Sequence, residues 1–380
     1  MTSPTPARRS RWALAAGLLV LAPVCAEYIT GYDDTTGDFL ALTFGLIIFA
    51  PLYGAPALLL RETARRFGVR WPGILALGLA FGIIQAGVID QSLFSGSYRD
   101  IAGWDEAYAA TVVQPLGLSA ANALNFLTGH AVWSFAIPIA LVEALAPARS
   151  HRPWLRAPGL VVTCLLYLGA AALVLSDHLQ NEKDHASAGQ IIGSLAAVGA
   201  LAAFAFTRSR HAPRPRDGAV PAPVVIGLLS LAAAVGFNLL PQSWPGVWAG
   251  AALVAAAAWY VTRLSRSPFW DGRHIVALVT GALLARAAIG FFAVPLGEVP
   301  AVAKYAHNIV FFAGAALLCA RAAVIARRAD MASRPPCGAA SGRVRADGGR
   351  RTYQARIPWR RAPDAGDRRG RAPRTRRYPD

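Results

Sequence analysis

Charge is scarce in this sequence. Asp, Glu, Lys and Arg together make up 16% of 380 residues, against about 25% in a typical soluble domain. Hydrophobic residues reach 55% and the mean hydropathy is +0.39, which excludes an ordinary soluble enzyme or binding domain. Cysteine is scarce too: Cys25, Cys164, Cys319 and Cys337 lie far apart with no CxxC spacing, so neither a zinc knuckle nor a disulfide framework is encoded. The seven histidines are scattered, with His151, His178, His185 and His211 in connections, and a catalytic zinc needs about three converging ligands. No nucleophile elbow, Walker loop or HExxH pattern occurs. These absences leave no catalytic residue, metal or cofactor to assign. Only Lys183 and Lys304 are lysines among 38 basic residues, so 36 are arginine, a usage that fits a bacterial plasma-membrane protein from a GC-rich genome.

What is abundant is long apolar runs. A helix rising 1.5 Å per residue needs about twenty apolar residues to cross roughly 30 Å of hydrocarbon. Such runs fall near 12–32, 39–60, 73–94, 118–146, 157–177, 188–207, 221–240, 244–262, 274–296 and 301–326. The expected fold is therefore an all-α, polytopic bundle of about ten spans filling residues 1–328. The first run also has the layout of a signal peptide, with Arg8, Arg9 and Arg11 before an apolar core and small residues near Cys25 and Ala26. Cleavage there would leave nine spans. Residues 329–380 carry fourteen Arg against five Asp, with Pro and Gly and no apolar periodicity. A disordered cytoplasmic tail is the expectation for such a composition.

The net charge of +17 would suggest nucleic acid in a soluble chain. Here more than half of it, +9, sits in residues 329–380, and most of the rest lies in alternate connections. Twenty arginines, from Arg8 to Arg328, fall on one side of the alternation, against Arg99, Lys183 and Lys304 on the other. Basic connections are retained in the cytoplasm and attract anionic lipid. Both termini are thus expected inside and the loops at 95–115 and 178–187 outside, with the bilayer rather than nucleic acid as partner. The outer loops are acidic, with Asp33, Asp34 and Asp38 in the first and Asp100, Asp105 and Glu106 in the longest.

Polar groups inside spans cost several kcal/mol unless paired or wetted, so each is a candidate site residue. Glu27 falls near the outer end of the first span, and Gln85, Asp90 and Gln91 in the middle and outer parts of the third span. The fourth contributes Asn122, Asn125 and His130, within an arc of about 140°. Together they can line one outward-opening cavity. Amides and imidazoles also bridge helices without any ligand, so each has a purely structural alternative. Arg286 sits mid-span in the ninth run and needs a partner; Asp90, Glu143 and Glu27 are available.

Two registers of short motifs carry a family resemblance. In one, Arg61, then Phe81 and Gln85, then His130 and Ser134 fall where EExxxR, FxxxH and HxxxN would lie; in the other, Glu62 to Arg66 imitates the first motif and Phe126 to His130 the second. Over residues 54–134 this resembles the CPBP family of intramembrane proteases, the CAAX-processing and bacteriocin-processing type. Pro56 and Ala57 stand in place of the two glutamates, Gln85 in place of a histidine and Ser134 in place of the asparagine. The resemblance therefore implies an inactive relative, because nothing would activate a water.

Two functional expectations follow. One is a transporter or permease-like binder of a small molecule in the polar cavity. The other is a protease-like protein that holds a peptide or lipid-linked ligand without cleaving it. Charge-coupled uptake favours the first and captured peptide or lipid the second. No signal in the sequence bears on oligomeric state.

Overall fold

The computed structural model describes residues 6–211 and 214–333. Among them nine helices are long and apolar enough to cross a membrane: α1 (Arg11–Tyr28), α2 (Phe39–Phe67), α3 (Trp71–Ile89), α4 (Ala120–Leu145), α5 (Ala157–Asn181), α6 (Ala188–Thr207), α8 (Trp244–Leu264), α9 (Gly272–Gly290) and α10 (Ala301–Ser333). The remaining run forms α7 (Pro223–Asn238), whose 16 residues extend only about 24 Å. Ten apolar runs are thus present, but one is shorter than the expected 221–240. Pro221 and Pro223 delay its start, and the chain leaves the helix at Asn238, three residues before Pro241. At the far end, α10 continues to Ser333, so residues 329–333 are helix and not tail. The expected tail beyond them lies outside the described residues.

Helix starts follow from local chemistry. The Asp38 carboxylate accepts from the Leu40 and Ala41 amides, both at 3.0 Å, opening α2. Ser187 and Gln190 form a reciprocal capping box on α6. Asp271 opens α9 by accepting from the Arg273 and His274 amides, while Pro72, Pro158 and Pro245 sit in first turns, where a missing N–H costs nothing.

The core joins two apolar clusters. One packs α1 and α4 against α7, α9 and α10; the other packs α1 to α4 around Leu18, Ile74 and Ile139. Leu18 and Ala22 are fully buried and Cys25 nearly so, so the first span is an inner element of the bundle. By contrast α5, α6 and α8 are buried over only 11% of their apolar windows, and their Leu and Val side chains face outward as lipid-facing residues do.

The longest connection, residues 90–119, folds over the bundle. It contains the short helix Trp104–Ala109 and a hairpin of β1 (Val112–Val113) and β2 (Leu118–Ser119), antiparallel with Val112 opposite Ser119. Asp184, between α5 and α6, accepts from the Gly96 amide at 2.9 Å and the Ser97 amide at 3.2 Å. The carbonyl of Gln91's side chain accepts from the Ala186 amide at 2.6 Å. These bonds latch the loop to the next connection.

Candidate functional site

Four helices depart from regular geometry in the same way. Segments of π-helix occur at Val24–Tyr28 in α1, Ala50–Gly54 in α2, Gln85–Ile89 in α3 and His130–Ala136 in α4. One extra residue per turn widens the helix and redirects side chains, and such segments recur at functional sites. Here all four lie in the first four spans, and three of them supply walls of a single crevice. It is lined by Leu52, Tyr53, Pro56, Phe81, Gln85, His130, Phe135 and Tyr167, and it is pinched too narrowly to hold a water molecule.

Two polar atoms buried at this crevice have no partner: Nε2 of His130 and the hydroxyl of Tyr167. The His130 ring is fixed from both sides. It stacks on Tyr53 with centroids 6.0 Å apart, and its Nδ1 meets the Phe126 carbonyl at 2.7 Å. A carbonyl can only accept, so Nδ1 carries the proton, and in the neutral ring Nε2 presents a lone pair. Buried polar atoms are rarely left unsatisfied, which marks both as hydrogen-bonding positions for something small.

The sequence candidates separate into three groups. Gln85 and His130 share the crevice. Asp90 is joined to it indirectly, since the Gln85 side-chain amide donates to Asp90 at 3.0 Å while the other Asp90 oxygen accepts from the Ser92 amide at 3.0 Å. Helix α3 ends at Ile89, so Asp90 and Gln91 lie beyond its last turn and not within a span; the π-segment uses up the residues that a regular helix would carry further. Gln91 adopts φ of 51° there and serves the loop latch.

Glu27 is not itself in the crevice lining, but it hydrogen-bonds Tyr53, which is, and it also accepts from the Tyr32 hydroxyl; its charge reaches Arg286. The backbone amide of Asn122, a buried residue, bonds the Ser119 cap, and Asn125 is exposed on the outside of α4. Arg286 pairs with none of the three expected carboxylates by hydrogen bond. It donates to the Asn238 side chain at 3.0 Å and lies 5.3 Å over the Trp133 ring. Glu143 is occupied elsewhere, accepting from Arg61 at 3.0 Å and from Arg65 at 2.8 Å.

Two buried polar clusters escaped the sequence reading. The first joins Arg61, Glu62, Arg65, Arg66 and Glu143, with Arg61 and Glu62 completely buried. The second surrounds His307 and Asn308, also completely buried. Nε2 of His307 donates to the Tyr28 carbonyl at 2.6 Å and its Nδ1 accepts from the Gly37 amide at 3.3 Å. A Cβ on Gly37 would fall 2.7 Å from Ala303. The signal was two adjacent polar residues in an apolar helix together with Gly31 and Gly37 in the loop above; both glycines adopt positive φ.

In that same loop, burial and a hydrogen bond with Asp34 raise Asp33 from the usual carboxylate range to about 6. A carboxyl held neutral by the fold favours folding while it is protonated. Its contribution is intact below about pH 4 and is lost as pH rises from about 4 to about 6. Thermal melts across this range should show Asp33→Asn losing less stability with rising pH than the wild type. Equal slopes for the two would rule out the assignment.

A multi-pass α-helical membrane protein, with an internal polar crevice in its first four spans, is the class that this fold and site define. The chain belongs to the uncharacterised membrane protein family whose model matches residues 17–339. No curated protein and no solved structure matches it.

Proposed function

We propose that the chain is a permease-like membrane protein that admits a small ligand between α2, α3, α4 and α5 when these helices part, the crevice between them being closed here. The observation that carries this reading is the convergence of π-helical segments on a crevice with two unpartnered buried polar atoms. Interrupted helices are where transporters place binding groups, because backbone and side chains there are free to face a ligand. Aromatic walls from Tyr53, Phe81, Phe135 and Tyr167 suit a flat apolar body, and Gln85, His130 and the Tyr167 hydroxyl supply polar contacts at its edge. The arginine asymmetry orients the long loop outward.

Access to the crevice tests this without knowledge of the ligand. With the native cysteines replaced by alanine, Gln85→Cys should react slowly with a membrane-impermeant thiol reagent applied from outside to intact cells, and again from inside to inverted vesicles. Ser97→Cys should react from outside only. A Gln85→Cys protein inert from both sides sinks the permease reading, and Ser97→Cys labelling only after permeabilisation overturns the orientation.

A second reading is an inactive relative of the CPBP intramembrane proteases. Its support is that Pro56, Phe81, Gln85 and His130, all positions of the first motif register, line one crevice. In the second register Glu62 is absent from that crevice, with both oxygens occupied by arginines and backbone amides. A photo-crosslinking residue at Phe81 that captures peptide favours this reading; recovery of a small metabolite favours the first.

A further inference from the structure

A different part of the bundle presents three arginines to one hollow. Helix α8 ends in a stripe of Trp259, Thr262, Arg263 and, just beyond, Arg266, spaced so that all four share one face. Arg216 arrives from the α6–α7 connection, and two hydrogen bonds clamp the two segments together. The Arg216 amide donates to the Arg266 carbonyl at 3.2 Å, and the Ser267 hydroxyl donates to the Gly218 carbonyl at 2.9 Å. The resulting hollow of about 280 Å³ is lined by Arg216, Ala258, Trp259, Thr262, Arg263 and Arg266. Among the described residues no carboxylate pairs with any of the three guanidiniums, neighbouring Asp217 included; the Arg263 guanidinium lies 5.3 Å over the Trp259 ring.

We infer that this hollow is a binding site for the headgroup of an anionic phospholipid. Three unpaired guanidiniums converging on one space call for phosphate oxygens, which accept two parallel N–H bonds from each planar fork. At about 30 Å³ per water volume, the hollow has room for a phosphoglycerol group. The attachment to lipid rests on its surroundings. Trp259 is 62% exposed within a membrane-spanning helix, where tryptophan marks the headgroup level. The adjoining face of α8 is exposed from Ala255 to Trp259, so acyl chains can run along it. A zwitterionic choline headgroup would bring its own cation against the three arginines and is disfavoured.

The test uses the full chain, delipidated in detergent, with dioleoyl-phosphatidylglycerol, dioleoyl-phosphatidylcholine and inorganic phosphate as probes. Native mass spectrometry should show one retained phosphatidylglycerol, with a matching rise in melting temperature, and no such adduct with phosphatidylcholine. At ~1 kcal/mol per arginine near the headgroups, Arg263→Gln with Arg266→Gln should weaken the binding about 30-fold. Arg263→Lys with Arg266→Lys, which keeps charge but not the fork, should give an intermediate loss and covers the case where the Gln pair folds poorly. Equal retention of both lipids, unaltered binding in the Gln pair, or an equal loss in Arg327→Gln with Arg328→Gln would each overturn the site. Displacement of the lipid by millimolar inorganic phosphate would overturn the lipid assignment and identify a free-anion site instead.

Discussion

Replacing Glu62 with alanine should remove a large part of the protein's stability and lower its melting temperature by many degrees. Oε1 of Glu62 accepts from Arg61 at 2.7 Å and from the Trp154 amide at 2.8 Å; Oε2 accepts from Arg66 at 2.5 Å and from the Leu155 amide at 3.1 Å. Without the carboxylate, two backbone amides lose their acceptor, and the fully buried Arg61 guanidinium keeps only one of its two carboxylate partners, Glu143. Arg61 cannot move to water, since it is stacked 3.5 Å from the Trp154 ring and donates to the Ser150 carbonyl at 2.8 Å. Breaking a buried ion pair from one side costs about 3–5 kcal/mol, a large fraction of a typical total stability of about 5–15 kcal/mol. The exposed pair of Arg99 and Asp177, with both side chains about half accessible, provides the contrast. Asp177→Ala should cost no more than about 1 kcal/mol. Size-exclusion profiles and melting curves of the two variants check the difference, and a Glu62→Ala protein melting within a degree or two of wild type would refute it.

Gly281→Leu should separate α7 from α9 and lower the melting temperature by many degrees. A Cβ built on Gly281 lies 2.1 Å from the Gly227 carbonyl oxygen and 2.8 Å from the Leu231 amide nitrogen. Backbone cannot rotate aside as a side chain can, so even Gly281→Ala forces the helices apart. Overpacking of a close-packed interior costs about 1–3 kcal/mol, and leucine exceeds that range. Gly227 faces the same seam more loosely, with its nearest contact at 3.2 Å from the Ala277 carbonyl, so Gly227→Ala should be milder. Gly199, in α6, has nothing within 4 Å; Gly199→Ala should be neutral or slightly stabilising, because alanine is the better helix former. Equal melting temperatures for Gly281→Ala and Gly199→Ala would contradict the close approach.

How far the sequence could be read depended on the range of the interaction. Apolar runs are a local property, and a helix lies over each of the ten, with ends up to seven residues from the expected bounds. Pairing is not local. Arg61 and Glu143 are 82 positions apart, and nothing in their surroundings marks them as partners. Arg286 was legible as a residue in need of a partner, but the Asn238 that meets it belongs to a helix end whose position turned on prolines. The arc drawn for Asn122, Asn125 and His130 assumed one cavity on one side of α4; Asn125 instead faces outward, because the crevice begins only near His130, where the helix widens. That widening has no composition of its own. Tyr53 and Tyr167 were missed for the same reason, being ordinary span residues until three irregular helices bring their π-segments to one place. Gln85 and His130 were legible as polar residues inside apolar runs, while the buried Glu62 belongs to a different cluster.

The short helix α7 has a consequence for the membrane itself. Its roughly 24 Å falls several ångströms short of an ordinary hydrocarbon layer, and it ends at Asn238 followed by Leu239, which is 73% exposed. A short span beside longer ones is met by lipids that compress rather than by a helix that stretches. The bilayer should therefore dip toward Asn238, carrying headgroups and water to the level where Arg286 donates its hydrogen bond. In that dimple the arginine, one turn from the end of α9, would be less costly than the middle of the expected 274–296 span suggests, and the annulus of lipid around this protein would be uneven, thinnest on the side where α7 meets it.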